Sequence, residues 1–376
     1  IPSGYKSTKL YSLRPSNGDG DFTFARSSSA TRVNSEGLIE TMSANVPRLD
    51  YSGGASCASL LLENQRTNEL IYSNSFDNVA WGKNSGGINT SIGTNGIEPN
   101  VAISPDGTSN ASRVNFITQS DLDLGLGQTI SSSSGNTHLF SVYVKGEGSN
   151  IGKQINIRVK RSSGGAYIGF DNSITLTSEW QRVKLNPLTL ITDNNGARII
   201  VSSNDATNCL IAFSQGEQGD YPTSYIPTTS ASTTRSADVC NNAGTSATFN
   251  DSEGVLFFEG AALADDGTNR WAVALSDGSN NERVQIIYFS DNSIASSVVS
   301  SNTSQCSFNY SGVSATDFNK IAISYKQNDF KMYVNGTLID SDTSGSVPTG
   351  LDTLGLERPT GVSQFYGNVK QLIYFD

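Results

Sequence analysis

The chain has 376 residues, with 25 basic and 35 acidic groups, a net charge of −10 and a single histidine. Only 16% of it is charged, and its polarity comes instead from Ser, Thr, Asn and 36 glycines. An acidic chain without Lys/Arg clusters lacks the footprint of a nucleic-acid binder, no apolar run approaches the roughly 20 residues that span a bilayer, and this composition sustains few long helices.

Residues 1–72 carry irregular strand-and-turn sequence with two Gly-rich breaks, NGDGD and YSGGAS. No basic stretch followed by an apolar one opens the chain, so no signal peptide is expected. From residue 73 the periodicity is two. Residues 138–145 read HLFSVYVK, with Phe140, Val142 and Val144 on one face and Ser141, Tyr143 and Lys145 on the other. Residues 154–160 set Ile155, Ile157 and Val159 against Asn156 and Arg158, and residues 166–170 set Ala166, Ile168 and Phe170 against Tyr167. ARIIVSS and NCLIAFS follow, then the Pro-containing stretch YPTSYIPTTSASTTRSAD at 221–238, which reads as an extended connector. Beyond it come GVLFFEGAAL, RWAVALS, ERVQIIYF, KIAISYK, FKMYVNG and KQLIYF. Short alternating strands between Gly/Asn/Asp/Ser clusters predict an all-β chain of antiparallel sandwiches, each strand burying one face and solvating the other.

Several motifs resemble those of bacteriophage virion proteins. The run FTFARSSSATRVNSEGLIETMSANVPRLDY followed by SLLLENQRTNELIYSNSFDNVAW is similar to their RxSxAT…NxxGLIE…PRxDY…LLLExQRTN opening, and TSYIPTTSASTTRSADV resembles the segment that closes their jelly-roll module. HLFSVYVKG and EWQRVKL resemble strands of carbohydrate-binding-module-like jelly rolls. KIAISYK, DFKMYVNGTLID with its Asn335-Gly336 turn, and the closing QFYGNVKQLIYFD are similar to laminin G-like, concanavalin A-like domains. The Asn-Gly turn also stands on physics, because a type I′ hairpin needs positive φ at both central residues. The resemblance implies a strand-and-turn attachment segment over 1–72, a jelly-roll carbohydrate-binding-like domain over 73–235 and a laminin G-like/concanavalin A-like domain over 236–376. It further implies a tail-fibre, head-fibre or spike component, assembled in the bacterial host cytoplasm, that meets other virion proteins and host cell-surface glycans. Such fibres are commonly trimeric, so a homo-oligomer is expected by analogy.

Catalytic chemistry is poorly supplied. No ExDxxE strand presents paired carboxylates to a cleft, the lone His138 stands without a GxSxG elbow, and GEGSNIGK lacks phosphate-loop spacing. The chain is therefore expected not to be an enzyme. Binding is better served, since sugars stack their CH faces on aromatic rings and offer hydroxyls to amides and guanidinium groups. Tyr143, Asn156, Arg158 and Tyr167 have that composition and would form one glycan-binding patch if their strands are neighbours. The same residues also suit the ordinary solvated face of a sheet, and both readings stand. Trp180 and Trp271 are expected in cores, and Trp81 as a plug in a loop-like segment. Laminin G-like and jelly-roll modules often carry Ca²⁺, so the resemblance makes Asp265, Asp266 and Asp277, which bracket the strand RWAVAL, its candidate ligands, while the same Asp-Gly loops also suit ordinary turns. The cysteines, Cys57, Cys209, Cys240 and Cys306, form no CxxC pair, which argues against zinc and leaves a Cys240–Cys306 bridge open. Three functions follow: a non-enzymatic virion adhesin for host glycans, a purely architectural virion protein, and, with least support, a glycan depolymerase.

Overall fold

The computed structural model describes residues 3–6, 9–12, 22–121, 123–130, 135–161, 172–189, 197–265, 270–361 and 363–376. Regular structure among them is antiparallel β apart from two single 3₁₀ turns, Ser52–Gly54 and Gly148–Asn150. No helix among them is long and apolar enough to cross a membrane. The alternation of the sequence becomes the two faces of sheets, and the chain divides into two units.

One unit comprises Leu38–Glu40 and Arg66–Arg235. Its larger sheet runs Ile97–Ala102, Ala111–Asn115, Asn208–Gln218, Thr137–Lys145, Gln181–Lys184, with Leu188–Thr189 also paired to Thr137–Lys145. Its second sheet runs Asn172–Thr175, Gln154–Arg161, Ala197–Ser202, Leu126–Ile130, Gly82–Lys83. The inward residues of both, Phe140, Val142 and Val144 from one and Ile155, Ile157 and Val159 from the other, meet in a single core with Leu126, Ile199, Val201 and Cys209. Trp81 is a plug, 2% exposed, with its ring 4.9 Å from that of Phe76 and its Nε1–H donating to the Tyr72 carbonyl. Trp180 departs from expectation. It precedes Gln181–Lys184 on the parity opposite to the inward Val183 and Leu185, so it lies half-buried outside the core and donates to the Ile103 carbonyl.

The other unit comprises Ile1–Gly37, Thr41–Gln65 and Ser236–Asp376. A seven-stranded sheet runs Thr337–Asp342, Asp329–Val334, Asn319–Lys326, Glu253–Ala262, Gly367–Phe375, Ser59–Leu62, Arg48–Asp50. It packs on a five-stranded sheet of Thr303–Tyr310, Ile294–Ser300, Arg283–Tyr288, Arg270–Ser276 and Thr353–Gly355. Asn335 and Gly336 have φ of 51° and 84°, as the hairpin demands. Trp271 lies on a strand here, but its side chain falls outside the described residues. All four cysteines are free, Cys240 and Cys306 included, and burial pushes the Cys306 thiol up to about 12.

This division corrects the expected boundaries. Residues 1–72 are no separate segment: Ser59–Leu62 and Arg48–Asp50 extend the sheet that begins near the C-terminus, with Leu60 and Leu62 inside its core. The physical reason is strand pairing at long range, which hydropathy cannot reveal. SLLL reads as apolar whatever sheet it joins. The sandwich of 236–376 is thus completed by strands from the other end of the chain, and residues 66–235 are an insertion within it.

The motifs behind the virion resemblance act in this architecture. In the first unit Arg66–Asn68 of QRTN pairs with Thr233–Arg235 of TTRSAD, placing Arg66 opposite Arg235 and Thr67 Oγ1 2.8 Å from Thr234 Oγ1. Asn68, fully buried, accepts from the Leu70 and Gly216 N–H groups and donates to the Ser214 and Ile226 carbonyls. The extended stretch 221–238 packs into its unit: Tyr221, Tyr225 and Ile226 are buried, and Thr228 Oγ1 donates to the Leu70 carbonyl at 2.6 Å. In the other unit, Arg26 of FAR and Arg48 of PRLDY share the Asp238 carboxylate, and Arg48 also meets Glu63 at 2.6 Å. Burial alone would depress the Arg48 guanidinium, but Glu63 and Asp238 overcome it and hold it above its ordinary value. Asp238 closes the cluster by accepting from the Glu63 N–H, and its own N–H donates to the Glu63 carbonyl.

Candidate functional site

The predicted glycan patch is split. The strands bearing Tyr143 and Asn156 follow one another in the chain but enter different sheets of the sandwich. Because both turn their apolar faces into one core, Tyr143 points away from one side and Asn156 with Arg158 from the other. Tyr143 is also covered: Arg182 lies over its ring at 5.7 Å, Phe213 meets it edge-on at 6.0 Å, and Tyr225 stacks on Phe213 at 4.5 Å. Tyr167 lies outside the described residues. Asn156 and Arg158 do share a solvated face. Asn156 donates to Asn204 Oδ1 at 3.4 Å, and an Arg158 nitrogen lies 3.7 Å from an Asp123 oxygen.

The candidate calcium ligands do not converge. Asp277 turns its carboxylate to its own loop, accepting from the Ser279 N–H at 2.9 Å. Asp265 precedes the strand Arg270–Ser276 and Asp277 follows it. Seven residues at about 3.3 Å each hold the ends of that strand roughly 20 Å apart. Asp266 lies outside the described residues, among which no three His, Cys, Asp or Glu side chains gather to hold a metal.

A groove forms instead on the Asn156/Arg158 side of the sandwich, at the edge of the sheet. Gly82–Lys83 pairs with Leu126 and Gly127, so among the described residues the rest of the strand Leu126–Ile130 has no ladder partner on that side. Gln128 spans the gap: its Oε1 accepts from the Ile71 N–H at 2.8 Å and its Nε2 donates to the Ile71 carbonyl at 2.9 Å. Between these clamped segments lies a cavity of about 630 Å³, walled by Glu69, Ile71, Val79, Ala80, Gly82, Gly127, Gln128, Thr129, Ile130 and Arg198.

Its chemistry is mixed. Arg198 stands in the strand Ala197–Ser202, opposite Thr129, and turns outward while Ala197, Ile199 and Val201 turn into the core. Two glycines make room for it. A Cβ at Gly127 would lie 2.8 Å from Arg198 Nε, and one at Gly82 would lie 3.2 Å from Nη2. Burial lowers the Arg198 pKa, and Asp123 only partly offsets that. Glu69 supplies a carboxylate, one oxygen of which lies 3.3 Å from Nε2 of the buried His138. Thr129 adds a hydroxyl, and Ile71, Val79, Ala80 and Ile130 add apolar surface, with Val79 95% exposed. The arrangement can hold a ligand that presents CH groups to a wall and polar groups to its ends. No aromatic ring lines it among the described residues. Glu69, Thr129 and Arg198 were not singled out by residue pattern. The available signals were an arginine inside the apolar run ARIIV and a glycine, Gly127, within the strand LGQTI.

No family model matches the chain, and no curated protein does. Among solved structures it is similar to the CBM40 of a Ruminococcus gnavus IT-sialidase bound to α2,3-sialyllactose, at 13% identity over 33% of this chain and 76% of that one, with a TM-score of 0.29. It is similar to the CBM22-1–CBM22-2 tandem of Paenibacillus barcinonensis Xyn10C at 10% identity, over 82% of this chain and 96% of that one, with a TM-score of 0.29. Domains LG4-5 of the mouse laminin α1 chain match at 9% identity over 83% and 89% of the two chains, with a TM-score of 0.25.

Proposed function

We propose that this chain is a non-enzymatic, glycan-binding component of a phage particle surface, a tail-fibre, head-fibre or spike protein that attaches to host cell-surface glycans. The observation that carries the binding is the groove: a carboxylate, a guanidinium and a hydroxyl, from Glu69, Arg198 and Thr129, placed around an apolar wall in a cavity of about 630 Å³. Polyhydroxylated rings match that alternation of apolar and polar surface. The virion setting rests on the resemblance of the QRTN, TSYIPT and TRSAD motifs, and assembly with other virion proteins as a homo-oligomer follows from the same resemblance. His138 is 1% exposed and is absent from the groove wall, which favours the non-enzymatic reading.

A glycan array probed with the purified full chain tests the binding, with retention of host polysaccharide as the expected result. A second reading, a purely architectural virion protein, is favoured by one observation: the motif residues Arg48, Asn68 and Asp238 are buried and bonded to other residues of the chain. No retention of any glycan would select it. New reducing ends or unsaturated uronates after incubation with host capsule or lipopolysaccharide would instead establish a depolymerase.

A further inference from the structure

The groove holds a half-buried cation, Arg198, that makes no hydrogen bond or ion pair among the described residues and whose burial Asp123 offsets only in part. The other arginines whose side chains are described have partners: Arg26 and Arg48 meet Asp238, Arg66 meets Glu217, Arg113 meets Glu98 and Glu147, Arg158 meets Asp123, Arg182 and Arg235 donate to hydroxyls, Arg32 to the Leu49 carbonyl, and Arg283 and Arg358 to the side-chain oxygens of Gln285 and Asn280. Arg198 makes no hydrogen bond and no ion pair among the described residues, although a guanidinium carries five donors. It is half-buried and lies against the bare backbone of Gly82 and Gly127, with its edge on the cavity. Removing a cation from water without a partner is unfavourable, and an arriving anion relieves it.

Resting on the reading of the groove as a glycan site, we propose that it selects an anionic saccharide, whose acidic group is held by the Arg198 guanidinium. The fork of Arg198 suits two parallel hydrogen bonds to a carboxylate or to the equivalent oxygens of a sulfate ester. Glu69 lines the same groove and repels a second anion, so it takes neutral hydroxyls. The two side chains therefore set the direction of the ligand, with its acidic end at Arg198. Asp123 faces Arg158 rather than the groove wall, and the pull it exerts on Arg198 falls short of the effect of burial.

The test is an array of matched glycan pairs, each with and without its uronate or sulfate group, read with the wild-type chain, Arg198→Gln and Arg198→Lys. The acidic member of a pair is expected to bind about tenfold or more tightly, with an affinity that falls as salt is raised. Arg198→Gln is expected to erase the difference between pair members while keeping the thermal melting curve, and Arg198→Lys to restore part of it. Equal binding of both members, or an equal loss of both in Arg198→Gln, would overturn the charge selection and leave glycan binding standing. Binding of neither member of any pair would overturn both readings.

Discussion

Two groups of arginines in this chain sit in opposite circumstances. Arg26 and Arg48 lie in a closed cluster where Asp238 and Glu63 neutralise them and main-chain carbonyls of Thr31, Ser43 and Val46 take further donors. Arg198 lies at an open groove with no hydrogen bond or ion pair among the described residues and two glycines beneath it. The first group belongs to motifs that stand out in the sequence, and the second belongs to none. A charge buried with full compensation specifies a chain crossing, whereas a charge left uncompensated at a cavity is available to a ligand. In this protein the motifs that announce themselves are structural, and the residue aimed at a partner is inconspicuous.

Breaking the closed cluster has the largest expected effect. Asp238→Ala leaves two buried guanidinium groups short of their counter-ion and should destabilise its unit by about 3–5 kcal/mol, measured by denaturant unfolding. A loss below about 1 kcal/mol would mean that the cluster is solvated and the contrast with Arg198 unsound. At the groove, Arg198→Gln should change stability by no more than about 0.5 kcal/mol in the same measurement, since no internal bond is lost.

Thiol labelling sharpens the same contrast. Cys57 is exposed, while burial foremost, with Asp238 and Glu357 adding to it, raises the Cys240 thiol well above its ordinary value, and burial pushes Cys209 up to about 12. One thiol per native chain should react readily with an aromatic disulfide reagent, and Asp238→Ala should expose Cys240 as a second. Prompt reaction of Cys240 in the wild type would show that the cluster opens on its own.

A small effect is also expected at an intermediate case, the partly exposed pairing of Arg113 with Glu98 and Glu147. The Asn115 hydrogen bond foremost, with Arg113 assisting against the opposing effect of burial, holds the Glu98 carboxyl below its ordinary 4.5. Its contribution is therefore present above pH 4.5 and lost as the pH falls through the lowered folded value. Comparing wild type with Glu98→Gln over that acid range should show a difference below about 1 kcal/mol that vanishes at the low end. A difference that grows on acidification would reverse the sign and remove the pair as a stabilising one.

Much of the fold was legible because a sandwich strand writes its two faces into alternate residues. Phe140, Val142 and Val144, and Ile155, Ile157 and Val159, turn inward as their parity requires, and Asn335-Gly336 makes the turn its residues demand. Trp180 was misplaced because its size suggested a core, while its parity, one step from Val183's row, put it outside. The glycan patch failed for a different reason. Tyr143 and Asn156 each point outward, as their parity says, but parity does not say from which sheet.

The amino-acid sequence by itself determined the all-β class, the inward and outward faces of most strands and the positions of the turns, because these depend on neighbours two to four residues apart. Tertiary structure alone decided that Ser59–Leu62 completes a sheet begun after residue 250, that Arg66 faces Arg235, and that Glu69, Thr129 and Arg198 border one groove. Those arrangements arise from pairings between strands tens to hundreds of residues apart, where many registers satisfy the same apolar pattern and only the packed core chooses among them.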